Sequence, residues 1–171
     1  FESKVEQLDP QTLANCAWAY GKLGEKPSVE FLKAWYSGFR SGYKSFSSNA
    51  LANTLWGFSK LDIMPSDAFM AKWYESFALK RGSFSGQDLS SVLWAMGKLR
   101  LDPSEDFLQI WVEEFTNKMR STEGTNLAQV IWSLARLGIR PRQAFIDSWN
   151  ECFLSAQCTS YDNGTWSNAL W

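Results

Sequence analysis

Apolar residues return along this chain every three to four positions, and between these runs stand short clusters of Gly, Pro, Asp and Ser. The stretch 46–83 shows the pattern. Leu51, Leu55 and Phe58 fall at i, i+4 and i+7, one face of a helix. Ser47 and Ser48 precede that helix as N-cap candidates, as Asp9 with Pro10 does earlier in the chain. Asp62-Ile63-Met64-Pro65 breaks the pattern, and a second helix is predicted from Ser66 to Leu79, with Phe69, Trp73 and Phe77 every four residues along it. Gly82 and Ser83 end it, as Gly42 does one unit earlier. No segment alternates with period two, which excludes a propeller of β-blades. Each unit therefore reads as an antiparallel helical hairpin, helix A followed by helix B.

The hairpin repeats in strict register. Trp recurs at 18, 56, 94 and 132, and again at 35, 73, 111 and 149, always 38 residues apart. Leu at 13, 51, 89 and 127, Leu at 23, 61, 99 and 137, and Pro at 27, 65, 103 and 141 keep the same step. So do Phe at 31, 69, 107 and 145 and Phe at 39, 77, 115 and 153. A fixed period of this length signals a solenoid. The predicted fold is all-α, one α-solenoid over residues 1–171, with units at 8–45, 46–83, 84–121 and 122–160 and a partial fifth at 161–171. Trp166 and Trp171 continue the pattern at a spacing of 39, which implies one inserted residue between Gln157 and Gly164. The chain starts with Phe rather than Met and ends inside a helix pattern, and its end units lack polar caps, so a fragment of a longer solenoid is expected.

The two Trp columns read differently. Trp35, Trp73, Trp111 and Trp149 lie between the two Phe columns of helix B and are expected to be core. On helix A, the Trp stands away from the apolar face. Small residues flank it at Ala14/Gly21, Ala52/Ser59, Ser90/Gly97 and Ala128/Ala135. They let neighbouring A helices approach closely, with Trp filling the groove; stacking against a nucleic-acid base is the alternative role.

Beside that Trp runs a polar stripe, seven and three residues before it and one and four after. It holds Gln11, Asn15, Ala19 and Lys22; Asn49, Asn53, Gly57 and Lys60; Gln87, Ser91, Ala95 and Lys98; and Thr125, Gln129, Ser133 and Arg136. Spacing of i, i+4, i+8 and i+11 keeps them on one helical surface. None of the sixteen is acidic. A cation once per repeat can neutralise a phosphate, amides and hydroxyls can read base edges, and the small residue leaves room for a base to lie flat. The bland explanation is that each cation complements the C-terminal dipole of helix A, worth about 0.3–1 kcal/mol.

Composition narrows the chemistry. The chain has 171 residues, 17 Lys+Arg, 18 Asp+Glu and a net charge of −1, too near neutral for a strong non-specific nucleic-acid binder. Charge is expected to be segregated. Further bases at Arg40, Lys44, Lys80, Arg81, Lys118 and Arg120 occupy the B-to-A loops as candidate phosphate contacts. Acids at Asp67, Glu75, Glu105, Asp106, Glu113, Glu114, Asp147 and Glu151 collect on helix B. With no His, neither a His-dependent catalytic triad nor a His-ligated metal is available. Cys16, Cys152 and Cys158 form no CxxC pair and read as reduced, mostly buried thiols. No apolar run reaches the ~18 residues of a membrane span, and no charged-then-apolar leader is present. Asn163-Gly164-Thr165 matches a glycosylation sequon and reads as a loop.

Leu-Ala-Asn-Thr-Leu-Trp-Gly-Phe-Ser-Lys-Leu at 51–61, followed by Pro65, resembles the octotricopeptide repeat family, as do residues 13–24 and 127–138. The resemblance spans nearly the whole chain, and the period of 38 separates it from tetratricopeptide, ankyrin and pentatricopeptide repeats. The chain departs from that family's Pro-Pro-x-x-Trp segment: Pro65 stands alone and Trp73 follows eight residues later. The resemblance implies a nucleus-encoded protein of the chloroplast or mitochondrion that binds single-stranded RNA and supports transcript stability, processing or translation. It implies no cofactor and no small-molecule ligand. The expected function is passive RNA clamping along helix A, without catalysis. The alternative is a scaffold subunit of an organellar ribosome or similar ribonucleoprotein assembly, touching proteins and rRNA mainly through its loops.

Overall fold

The computed structural model describes residues 8–157, all-α with no strand among them. Eight α-helices follow one another: α1 (Pro10–Leu23), α2 (Val29–Gly42), α3 (Ser48–Lys60), α4 (Asp67–Lys80), α5 (Gly86–Leu99), α6 (Glu105–Lys118), α7 (Gly124–Arg136) and α8 (Gln143–Gln157). The odd-numbered helices are the A helices of the sequence pattern and the even-numbered ones the B helices. Short 3₁₀ turns at Tyr43–Ser45, Arg81–Ser83 and Met119–Ser121 close α2, α4 and α6. The residues expected to begin a fifth repeat, including Trp166 and Trp171, lie outside the described residues, as do Cys158 and the Asn163 sequon.

Local chemistry explains the boundaries. Asp9, Ser28, Ser47, Ser66, Ser85 and Ser104 each accept a hydrogen bond from a backbone N–H in the first turn of the helix they precede. Ser85 and Asp88 bond reciprocally as a capping box. The A-to-B turn uses left-handed backbone in every repeat: Gly24 at φ 73°, Asp62 at 53°, Arg100 at 54° and Gly138 at 70°. These positions are again 38 apart, so two repeats supply glycine and two hold an L side chain in a conformation costing roughly 1 kcal/mol.

Each hairpin is tied by its B-helix tryptophan. Trp35, Trp73 and Trp111 are fully buried. Their indole N–H groups donate to the carbonyls of Leu13, Leu51 and Leu89, at 2.8, 3.1 and 3.0 Å. Trp149 donates to Leu127 at 2.9 Å. Each donor is thereby satisfied in the core, where an orphaned N–H costs about 1–3 kcal/mol. Each ring also stacks on the Phe one turn later, within 18° of parallel: Trp35 on Phe39, Trp73 on Phe77, Trp111 on Phe115 and Trp149 on Phe153.

The chain divides into two compact units between Ser83 and Phe84, each holding two hairpins. Within the first, α1 lies against α3 almost backbone to backbone. A Cβ added to Gly21 would sit 2.8 Å from the Gly57 Cα, and one added to Gly57 would overlap the Ala17 carbonyl. Within the second, α5 lies against α7 with more room: a Cβ on Gly97 would be 3.4 Å from the Ser133 Cα, an ordinary contact. In both units the residue three after one A-helix Trp meets the residue one after the next. This stacking of A helix on A helix is the solenoid arrangement within each unit.

Candidate nucleic-acid interface

Helix A places the stripe at the surface of its hairpin. Gln11, Asn15, Lys22, Asn49, Lys60, Gln87, Thr125 and Arg136 are exposed, and Asn53, Ser91, Lys98 and Gln129 are half-buried. The amides do not all stand free. Gln11 donates to Asn15 at 2.9 Å and Asn53 donates to Asn49 at 3.0 Å, each pair one helical turn apart. Such a pair holds two side chains in one orientation.

The expected slot for a base is absent. Gly57, Ala95 and Ser133 are buried, and only Ala19 is half-buried. Gly57 is consumed by the α1–α3 contact and Ser133 by the α5–α7 contact. Gly57 and Ser133 thus serve helix approach, as Gly21 and Gly97 do.

That close approach lifts the A-helix indoles outward. Trp18 and Trp56 stack across the α1–α3 contact with ring centroids 6.4 Å apart and planes 28° apart. Trp18 remains 42% exposed. Trp56, Trp94 and Trp132 are half-buried. The cations join them: Lys60 Nζ lies 5.8 Å from the centre of the Trp56 ring, and Lys98 Nζ 5.9 Å from that of Trp94. Among the described residues, Lys22, Lys60 and Arg136 have no carboxylate within ion-pair distance.

Of the six bases expected in the B-to-A loops, Arg40, Lys80 and Lys118 stand instead in the last turns of α2, α4 and α6, and Lys44, Arg81 and Arg120 lie in the 3₁₀ turns that follow. Lys44 pairs with Glu75 at 2.9 Å, and Arg120 pairs with Glu151 at 3.1 Å. Both pairs span 31 residues, at equivalent points two repeats apart. Tyr43 donates a second hydrogen bond to Glu75 at 2.8 Å. Lys44 foremost and Tyr43 next hold the Glu75 carboxyl below its usual range, and Glu75 in turn raises the Lys44 ammonium. Lys118 pairs with Glu114 one turn away at 2.8 Å. Arg40 and Arg81 are exposed and Lys80 is half-buried, none in an ion pair among the described residues. Three of the six bases are thus already engaged by B-helix acids. In the second unit, Arg136 lines an open cavity of about 370 Å³ together with Arg100, Leu101, Asp102 and Leu137.

Residues 43–160 match the family model of the Tbc2 translation factor, N-terminal domain. The match covers more than half of the chain. This chain belongs to the Tbc2 N-terminal domain family. The Tbc2 match takes in α3 to α8, and the α1–α2 hairpin stands before it in the same register. No curated protein matches the chain. Among the described residues, nothing in this Tbc2-family chain gathers three or more metal-ligating side chains, and no helix is long and apolar enough to cross a membrane. Cys16 is half-buried and Cys152 buried, and burial foremost pushes both thiols up, which suits inert packing rather than nucleophilic chemistry.

Proposed function

We propose that this Tbc2-family chain is an RNA-binding helical repeat of the octotricopeptide kind, acting in the translation or upkeep of organellar transcripts. The observation that carries this reading is the exposed helix A stripe. Lys22, Lys60 and Arg136 have no acidic partner among the described residues, and uncharged amides and hydroxyls stand in line with them. Within each two-hairpin unit, a stripe that supplies one cation per repeat and no acid at its own positions suits a phosphate backbone. The engaged bases Lys44, Lys118 and Arg120 shift the phosphate path onto the A helices rather than the loops. The family name supports a role in translation. The resemblance of the repeat supports an organelle, mitochondrion or chloroplast, as the site of action. The protein performs no chemistry in this reading: it clamps single-stranded RNA and presents it to other machinery.

The test is a salt titration of single-stranded RNA binding to the 171-residue chain, beside a variant with Lys22, Lys60, Lys98 and Arg136 all changed to Gln. The wild type is expected to bind. The variant is expected to lose affinity and about 0.7 of the slope of log K on log salt for each phosphate contact removed. Equal binding by the two proteins, or none by either, ends this reading in favour of a scaffold that meets proteins.

A further inference from the structure

The A-to-B turn of the third repeat carries the residue least suited to its backbone. The left-handed position of that turn is Gly24 in the first repeat, Asp62 in the second, Arg100 in the third and Gly138 in the fourth. Aspartate tolerates this conformation because its short side chain bonds locally; arginine has no such compensation. Arg100 nevertheless caps α5, its backbone N–H donating to the carbonyls of Met96 and Gly97. A side chain kept at such a cost points to a task beyond the turn. That side chain lines the open cavity of about 370 Å³ in the second unit, with Leu101, Asp102, Arg136 and Leu137. The lining comes from two successive repeats of one unit, residues 100–102 from the third and 136–137 from the fourth. Arg100, Asp102 and Arg136 are exposed, and none of them closes an ion pair among the described residues. Two guanidinium groups therefore border one cavity, and the single carboxylate beside them leaves both unengaged. One positive charge remains over.

Resting on the RNA-binding reading above, we infer that this cavity clamps one ribose-phosphate of an RNA strand. Arg100 and Arg136 hold the phosphodiester, and Asp102 accepts a hydrogen bond from the ribose 2′-hydroxyl. Arg136 is the last residue of α7 and a member of the helix A stripe, so a strand that follows the stripe of α7 ends at this cavity. Guanidinium forks match phosphate oxygens in pairs. The single positive charge left over suits a diester inside a chain, which carries one negative charge, better than a terminal phosphate, which carries up to two. A carboxylate repels phosphate but accepts from a hydroxyl, and the 2′-hydroxyl is the donor that RNA has and DNA lacks. Arg100 extends the phosphate path beyond helix A to a residue that stands outside the stripe.

The experiment measures binding of fluorescently labelled single-stranded RNA and DNA of equal length and sequence, the RNA with and without a 5′-phosphate. The proteins are the whole chain, Arg100→Gly, Arg100→Lys, Asp102→Ala and the fourfold Gln variant as reference. Arg100→Gly gives the turn the residue that Gly24 and Gly138 supply, so it is expected to melt at or above the wild type. It is nevertheless expected to bind RNA about tenfold more weakly and to lose about 0.7 of the salt slope. Stability and affinity thus move apart, which a merely structural role for Arg100 would not produce. Arg100→Lys is expected to regain the slope and part of the affinity. Asp102→Ala is expected to shrink the preference for RNA over DNA. Equal binding of the two RNA ends is expected, and dependence on the 5′-phosphate would assign the cavity to a chain end and overturn the diester clamp. If Arg100→Gly binds like the wild type while the fourfold variant does not, the RNA path stands and the clamp is overturned. If Arg100→Gly loses affinity with its salt slope intact, the turn's shape is responsible and the clamp is again overturned. Failure of the wild type to bind any of the oligomers removes both the clamp and the RNA reading.

Discussion

Tryptophan fills two columns of this chain at the same 38-residue spacing, on helix A and on helix B, with opposite fates. The B-helix indoles are sealed: Trp73 is 0% exposed, stacked on Phe77 and bonded to the Leu51 carbonyl. The A-helix indoles stand beside a helix contact too tight to admit them, and Trp18 and Trp56 stack at the surface instead. Repetition in sequence therefore guarantees equivalent placement, and burial follows from the neighbours each face meets. A column of aromatic residues can be core or surface within one hairpin, and the small residues around it decide which.

The largest expected effect separates the two columns by stability. Trp73→Ala removes a filled core volume and a satisfied indole, and is expected to cost about 3–5 kcal/mol in chemical denaturation. Trp18→Ala in the same assay is expected to cost less, about 1–2 kcal/mol, since 42% of its surface is already in water. Equal losses would break the comparison.

Glycine sharpens it next. Gly57→Ala drives a methyl group into the Ala17 carbonyl and is expected to destabilise by about 1–3 kcal/mol. Gly97→Ala meets only ordinary contact at Ser133 and gains helix propensity, so it is expected to be neutral or to stabilise by up to about 1 kcal/mol. Melting temperatures of the two variants check the difference between a backbone-tight and a looser A-helix pair.

The smallest effect concerns the loop ion pairs. The Glu75 carboxyl is held down by Lys44 and Tyr43, so its contribution is present above the ordinary carboxylate range and fades as pH falls through it. The Lys44 ammonium is raised by Glu75, so its contribution is present below the ordinary lysine value and fades as pH climbs past the raised one. Glu75→Gln is expected to melt slightly below the wild type at neutral pH and to match it only in acid, once the lowered Glu75 carboxyl is itself protonated. The gap is expected to be small because both side chains are exposed. A gap that persists in acid would assign it to packing.

Much of the fold was legible because helical periodicity and a fixed register are local facts. The columns at Leu51, Phe69, Trp73 and Phe77 identify the buried faces, and Ser47 and Asp9 identify two helix starts that the structure keeps. The site was legible only in part. A helical wheel treats each A helix as having one neighbour, yet within the first unit α1 offers Ala17 and Gly21 while α3 offers Gly57. The wheel therefore reads Gly57 as room for a base when it is room for a helix. The bond from Trp73 to the Leu51 carbonyl joins residues 22 apart, and no single-helix pattern reveals it. The pairing of Lys44 with Glu75 and of Arg120 with Glu151 also escaped, since the bases lie in loops, the acids on helices, and only the stacking of hairpins brings them together.

The indole tie has an evolutionary corollary. Donor and acceptor of each Trp-to-Leu bond belong to the same hairpin, so copying a 38-residue cassette copies both partners at once. A duplicated hairpin arrives with its most demanding buried donor already satisfied. An array of this kind can lengthen or shorten by whole cassettes, changing how much ligand it spans while leaving the interior chemistry of every hairpin as it was.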